Sequence, residues 1–179
     1  MLIVPESLVD KDGSPVLMGR LRHNDMTDGR SVQDVCRMII YCVDRLLERT
    51  EAGDGITIFH DMEDLSRKNI DIGIPKILFG ALLGHFPLRI KQIYILNAPW
   101  FFYPIFTSLS TIFFSPKLRK RIHFIKSVDE VLQAIDQEKL LVEHGGKLEF
   151  DASAWVQQQI DRELNDQSMS SLQNCLGTW

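Results

Sequence analysis

Short apolar runs alternate along the chain with stretches of helical period. Pro15 to Leu21 (PVLMGRL) follows the Asp12-Gly13-Ser14 turn and reads as a strand. After Ser31, the residues Val35, Met38, Ile39, Cys42, Val43, Leu46 and Leu47 recur at the spacing of one helix face. Ser31 is the natural N-cap of that helix, with Asp34 at its third position facing the free N–H groups. Gly53-Asp54-Gly55 closes the loop into Ile56-Thr57-Ile58-Phe59, a short buried strand. Pro75 sits in the first turn of a helix that Gly84 stops. Gln92–Leu96 and Ile122–Ile125 are two further core strands. Ser127, with Glu130 three residues on, opens a helix to about residue 135. Gly145-Gly146 makes a turn, and Ala152–Leu164 is an amphipathic helix before a polar, loose end. This alternation predicts an α/β fold: a single domain with a mixed, mostly parallel sheet flanked by helices.

One segment breaks the amphipathic pattern. Between Lys91 and Lys117 lie 25 uncharged residues, long enough on length alone to cross a bilayer. Pro99 and Pro104 interrupt any single helix there, so the run divides into a strand at about 92–97 and an apolar helix at about 100–114. That helix carries Phe101, Phe102, Tyr103, Ile105, Phe106, Leu109, Ile112, Phe113 and Phe114, and reads as apolar all round. In so small a domain it requires something other than water on at least one face.

The length of 179 residues fits one domain with a tail, and 45% hydrophobic residues exclude a disordered chain. Cys36, Cys42 and Cys175 show no metal-ligand or disulfide spacing, so a reducing, cytoplasmic setting with no metal is expected. The net charge of −4 gives no pull toward nucleic acid, but its distribution is uneven. From Ile72 to Val128 there is no acidic residue, while Lys76, Arg89, Lys91, Lys117, Arg119, Lys120, Arg121 and Lys126 all fall there. Such a stretch is either a solvated face or a surface that docks on anions.

Enzyme signatures are missing: no nucleophile elbow, no phosphate-binding glycine loop and no paired zinc-binding histidines. His60-Asp61 ends a core strand and Asp64 extends it to H-D-x-x-D, but no His or Cys cluster completes a site. His23, His85, His123 and His144 have no nucleophile beside them in sequence. No catalytic residue and no cofactor are assigned.

Gly84-His85-Phe86-Pro87-Leu88-Arg89 followed by Ile93-Tyr94-Ile95-Leu96-Asn97-Ala98-Pro99-Trp100 resembles the core motif of the CRAL-TRIO lipid-binding domain family. The apolar helix, Ser115-Pro116-Lys117-Leu118-Arg119-Lys120-Arg121-Ile122-His123, and Leu141-Val142-Glu143-His144-Gly145-Gly146 keep that family's order. The likeness is to its tocopherol-transfer-like members and to the lipid-binding domain attached to a non-receptor tyrosine phosphatase, although no phosphatase signature is present. It covers nearly all of residues 1–155, leaving 156–179 as a helix end and loose tail.

The resemblance implies a hydrophobic pocket floored by the sheet and closed by a movable gate helix. Ile58, the helix residues Ile77, Leu78 and Ala81, and the gate residues Phe102, Ile105, Phe106, Leu109 and Phe113 would line it. It also implies phosphoinositide contact at Lys117 and Arg121, to which the basic run adds Lys120, and headgroup contact at Lys147. Two departures stand out. The chain opens close to the first strand, where the family carries a helical lobe. It also lacks the acidic residue that inositol-binding members place near the end of the gate. The implied partners are a hydrophobic molecule or phospholipid and an anionic membrane surface. A protein-docking role for the greasy helix, with no carried lipid, is the other reading.

Overall fold

The computed structural model describes residues 2–48, 55–85 and 89–176, with backbone only at positions 3, 26, 81–85 and 166–176. Two compact units divide the chain, Met1–Leu148 and Glu149–Trp179.

The first unit is built on a five-stranded sheet: β1 (Leu2–Ile3), β2 (Val16–Arg20), β3 (Ile56–Asp61), β4 (Ile90–Leu96) and β5 (Ile122–Ile125), in that spatial order. β1 pairs antiparallel with β2 and the other pairings are parallel. Each parallel step therefore needs a crossover: α1 (Val32–Leu47), α2 (Gly73–His85), and then α3 (Phe102–Phe113) with α4 (Pro116–Arg119). Because the strands advance in one direction and such crossovers are right-handed, all these helices belong on one face of the sheet.

Register fixes which side chains share that face. His60 pairs with Gly19 and Ile95, Ile58 with Leu17 and Ile93, and Ile95 with Phe124. The helix-side face is thus Leu17, Gly19, Ile58, His60, Ile93, Ile95, Ile122 and Phe124. The opposite face carries Met18, Arg20, Thr57, Phe59, Asp61, Gln92, Tyr94 and His123. The N-terminal loop and the segment after β5 cover this second face: Lys11 N–H donates to the Ala134 carbonyl at 2.9 Å, and the His144 ring meets Phe59 edge-on at 5.4 Å.

Local chemistry explains most boundaries. Ser31 and Asp34 form a reciprocal capping box, with each side chain accepting the other's backbone N–H at 3.1 and 3.2 Å. Cys42, Val43 and Leu46 of the expected α1 stripe are buried, as is Cys36 beside it, whereas Met38 of that stripe is 51% exposed. Three expectations need correction. Gly84 does not stop α2, which continues to His85. The helix after Ser127 is only α5 (Val128–Val131), because the Ser127 side chain makes no cap bond and Glu130 instead accepts the Lys126 N–H at 3.1 Å. The third concerns α3, which is not apolar all round: Pro104, Thr107, Ser108 and Thr111 are exposed on its outer side. The second unit holds α6 (Ala152–Leu176), started by Asp151, whose carboxylate accepts the Ser153 and Ala154 N–H groups at 2.8 and 3.0 Å. It extends beyond Leu164.

Candidate functional site: an apolar enclosure beneath helix α3

β3, β4 and β5 supply an apolar floor, and α3 lies across it through aromatic contacts. The Phe106 ring meets Phe124 edge-on at 5.2 Å, Tyr103 lies 4.8 Å from Phe124, and Phe102 lies 5.7 Å from Phe106. α2 closes the enclosure from the side, with Phe79 placed 5.3 Å from Phe113 and 4.7 Å from Phe114. Beneath these rings, Met62, Leu65, Ile93 and Ile95 form a buried core against which Ile58, Phe101, Phe102, Phe106, Leu118 and Ile122 pack while remaining partly open.

That partial openness distinguishes the site from an ordinary core. Apolar side chains facing one another across three elements would normally close to crystal-like density. Here Ile58, Phe102, Phe106 and Phe113, which these contacts bring together, are only half-buried; Leu78, Ile105 and Leu109 on the same two helices are half-buried as well. Ile77 turns further out, at 38% exposed, and the Ala81 side chain falls outside the described residues, as do Phe86, Pro87 and Leu88 of the first family motif. The outward side of α3 is hydroxyl-bearing in its middle, with exposed apolar groups at its ends: Trp100 (76%), just before the helix, and Ile112 (73%).

The basic run after α3 separates by position. Ser115 caps α4, its hydroxyl accepting the Leu118 N–H at 3.2 Å, and Leu118 points into the core. Lys117, Arg119 and Lys120 are thereby left exposed. Arg121 is half-buried, and its guanidinium donates to the Ile90 carbonyl at the start of β4. Lys147 is exposed but ion-paired with Glu138.

On the other face, polar groups gather at the carboxyl ends of the strands. Asp61 is 2% exposed and accepts from Glu63 N–H at 3.0 Å, from His144 Nε2 at 3.2 Å, and from Asn97 Nδ2 and Arg22 Nη1 at 3.4 Å. Burial alone would raise this carboxyl. The His144 hydrogen bond, the Glu63 N–H and the nearby Arg22 guanidinium overcome it and hold Asp61 at about 2. An ionised Asp61 can only accept, so His144 donates through Nε2. Glu143 pairs with Arg20 beside them. Further along the same face, Lys91 bridges Asp10 at 3.0 Å and Asp12 at 2.6 Å in the wall of a cavity of about 810 Å³ with a mixed polar and apolar lining. Among the described residues no group of three metal-ligating side chains gathers, and no helix is long and apolar enough to cross a membrane.

Comparison with known proteins agrees with this architecture. The CRAL/TRIO domain matches residues 3–146. The chain belongs to the CRAL/TRIO domain family. It is 26% identical over 160 residues to the phosphatidylinositol transfer protein CSR1 of Eremothecium gossypii, covering 88% of this chain and 36% of that protein. It is 31% identical over 129 residues to human tyrosine-protein phosphatase non-receptor type 9, covering 70% of this chain and 21% of the phosphatase. The crystal structure of Sfh5 superposes with a TM-score of 0.60 at 16% identity, over 74% of this chain and 49% of Sfh5, and supports the shared fold. This CRAL/TRIO chain spans less than half the length of these relatives.

The family's motifs had pointed to the gate and the basic run. Two participants were not singled out: Phe79 and Phe124. Strand alternation sets Phe124 and His123 on opposite faces, but only the β4–β5 register turns Phe124 toward α3. Phe79 lies one position from Leu78 on a helix whose apolar residues give no clear stripe.

Proposed function

We propose that this CRAL/TRIO chain binds a hydrophobic molecule or phospholipid between the sheet and α3, and exchanges it at phosphoinositide-containing membranes. The observation that carries this reading is the set of aromatic and aliphatic side chains on β3, α2 and α3 that face one another yet stay half-buried. A guest with apolar chains would complete their burial, worth about 25 cal/mol for each Å² covered. The name of one relative, the phosphatidylinositol transfer protein CSR1, supports it.

Lys117 and Arg119 on α4, and Lys120 just after it, are exposed and follow closely in sequence on the exposed Ile112 at the end of α3. Basic groups beside an apolar anchor provide the two signals that reversible attachment to an anionic surface needs. In this account α4 docks, α3 swings toward the interface, and the guest leaves or enters over the floor of Ile58, Ile93 and Phe124. The setting is cytoplasmic and peripheral to membranes. Arg121 and Lys147 would have to give up existing partners to touch a headgroup, so the docking patch is Lys117, Arg119 and Lys120.

Vesicle-to-vesicle transfer of pyrene-labelled phosphatidylinositol and phosphatidylcholine tests this directly. The chain should accelerate transfer, and Phe106→Asp should abolish the acceleration. No acceleration for either lipid, with no lipid retained after gel filtration, would favour the protein-docking reading of α3.

A further inference from the structure

β3 ends on two polar residues whose side chains leave the sheet on opposite faces. Asp61 enters the polar cluster, where it accepts hydrogen bonds from Glu63 N–H, His144, Asn97 and Arg22. His60 enters the apolar floor on the α3 side, between Gly19 and Ile95 in register, with Ile58 two residues before it. The imidazole approaches Gly19 closely: a Cβ there would come within 2.4 Å of His60 Nδ1 and 2.7 Å of Cε1. Glycine at position 19 therefore makes the space for this ring.

Nδ1 is buried against Gly19 with no hydrogen-bond partner of good geometry, while the side chain as a whole is half-buried in the floor. Burial pushes the imidazole down to about 4, against a smaller opposing pull from the Gly19 backbone, so the ring is neutral near pH 7. A neutral imidazole carries one donor and one acceptor. In an apolar setting such groups are costly unless met, and the neighbouring floor positions use Ile where only packing is needed.

We infer that His60 sets the specificity of the enclosure by hydrogen-bonding an oxygen, a hydroxyl or an ester carbonyl, that an otherwise apolar cargo carries beneath α3. This rests on the lipid-binding reading above and narrows it. A pure hydrocarbon leaves the imidazole unmet and is disfavoured. A neutral, oxygen-bearing lipid fills the apolar walls and satisfies the floor at one point.

The test loads the full chain and its His60→Leu variant with 1-hexadecanol, methyl hexadecanoate or hexadecane delivered from cyclodextrin. Retained ligand is quantified by gas chromatography after gel filtration. The chain should prefer one or both oxygenated ligands over hexadecane, and His60→Leu should reduce that preference roughly fivefold, the scale of one hydrogen bond. Preference for the alcohol alone identifies a hydroxyl source, and preference for the ester alone an acyl-ester source. Equal preference ratios in both proteins overturn the role of His60. Retention of none of the three by either protein overturns the enclosure itself, a separately recognisable failure. Should His60→Leu not fold, long-range ¹H–¹⁵N spectra of the unaltered chain decide. The His60 ring signals must shift on loading with the preferred oxygenated ligand and stay in place with hexadecane; unmoved signals on both loadings overturn the inference.

Discussion

Asp61→Asn isolates the cluster at the strand ends. The folded chain holds Asp61 at about 2 against an ordinary value of 3.8. Because the folded value lies below the unfolded one, the group stabilises the fold above pH 4 and loses that contribution as pH falls through about 2. The difference corresponds to about 2.5 kcal/mol at neutral pH, about 2 at pH 4 and less than about 1 at pH 2. Asn cannot supply the charge, and it leaves His144 and Arg22 facing a neutral amide, so the deficit at pH 7 should be at least about 2 kcal/mol. Urea unfolding of both proteins between pH 7 and pH 2, followed by circular dichroism, gives the difference directly. The gap should be widest near neutrality and should close mainly between pH 4 and pH 2. A gap that stays constant across that range would show that Asp61 is not held ionised by these partners, and the electrostatic account of the strand-end cluster would be wrong.

Other expectations follow from single contacts. Lys117→Ala with Lys120→Ala should weaken binding to phosphoinositide-containing vesicles by about tenfold or more at low salt, at about 1 kcal/mol per charge, and should flatten the salt dependence. Sedimentation with liposomes checks this, and Arg121→Ala should instead lower thermal stability, since its guanidinium holds the Ile90 carbonyl. Gly146→Ala should destabilise the fold by more than about 2 kcal/mol, because the added Cβ would fall 1.9 Å from the Leu140 carbonyl oxygen. Cys42 is 2% exposed, with burial pushing its thiol up to about 11. Iodoacetamide at pH 8 should label it in the native chain at least about a hundredfold more slowly than a free thiol, as read by peptide mass spectrometry.

Much of the architecture was legible in the residues, and what was not has physical reasons. The order of strands and crossovers follows from short apolar runs separated by capped helical stretches, as at Ser31 and Pro75. The gate segment showed itself through its lack of charge and its two prolines. Its faces did not, because Thr107, Ser108 and Thr111 count as small interruptions in sequence and become an outward stripe only once the helix lies on Phe124. Arg121 belongs to a single run of basic residues in sequence. The end of α4 at Arg119 and the start of β5 at Ile122 turn it back onto β4. His144 and Asp61 are 83 positions apart, and no local pattern announces such a pair. His60 reads as half of a polar dipeptide, yet strand alternation sends it and Asp61 into opposite environments.

Native mass spectrometry of the full chain, after incubation with vesicles of mixed phosphatidylinositol and phosphatidylcholine and re-isolation, bears most directly on the central claim. The account predicts a species heavier by the mass of one lipid molecule, diminished in Phe106→Asp. A chain that returns from the vesicles at its own mass alone would contradict it.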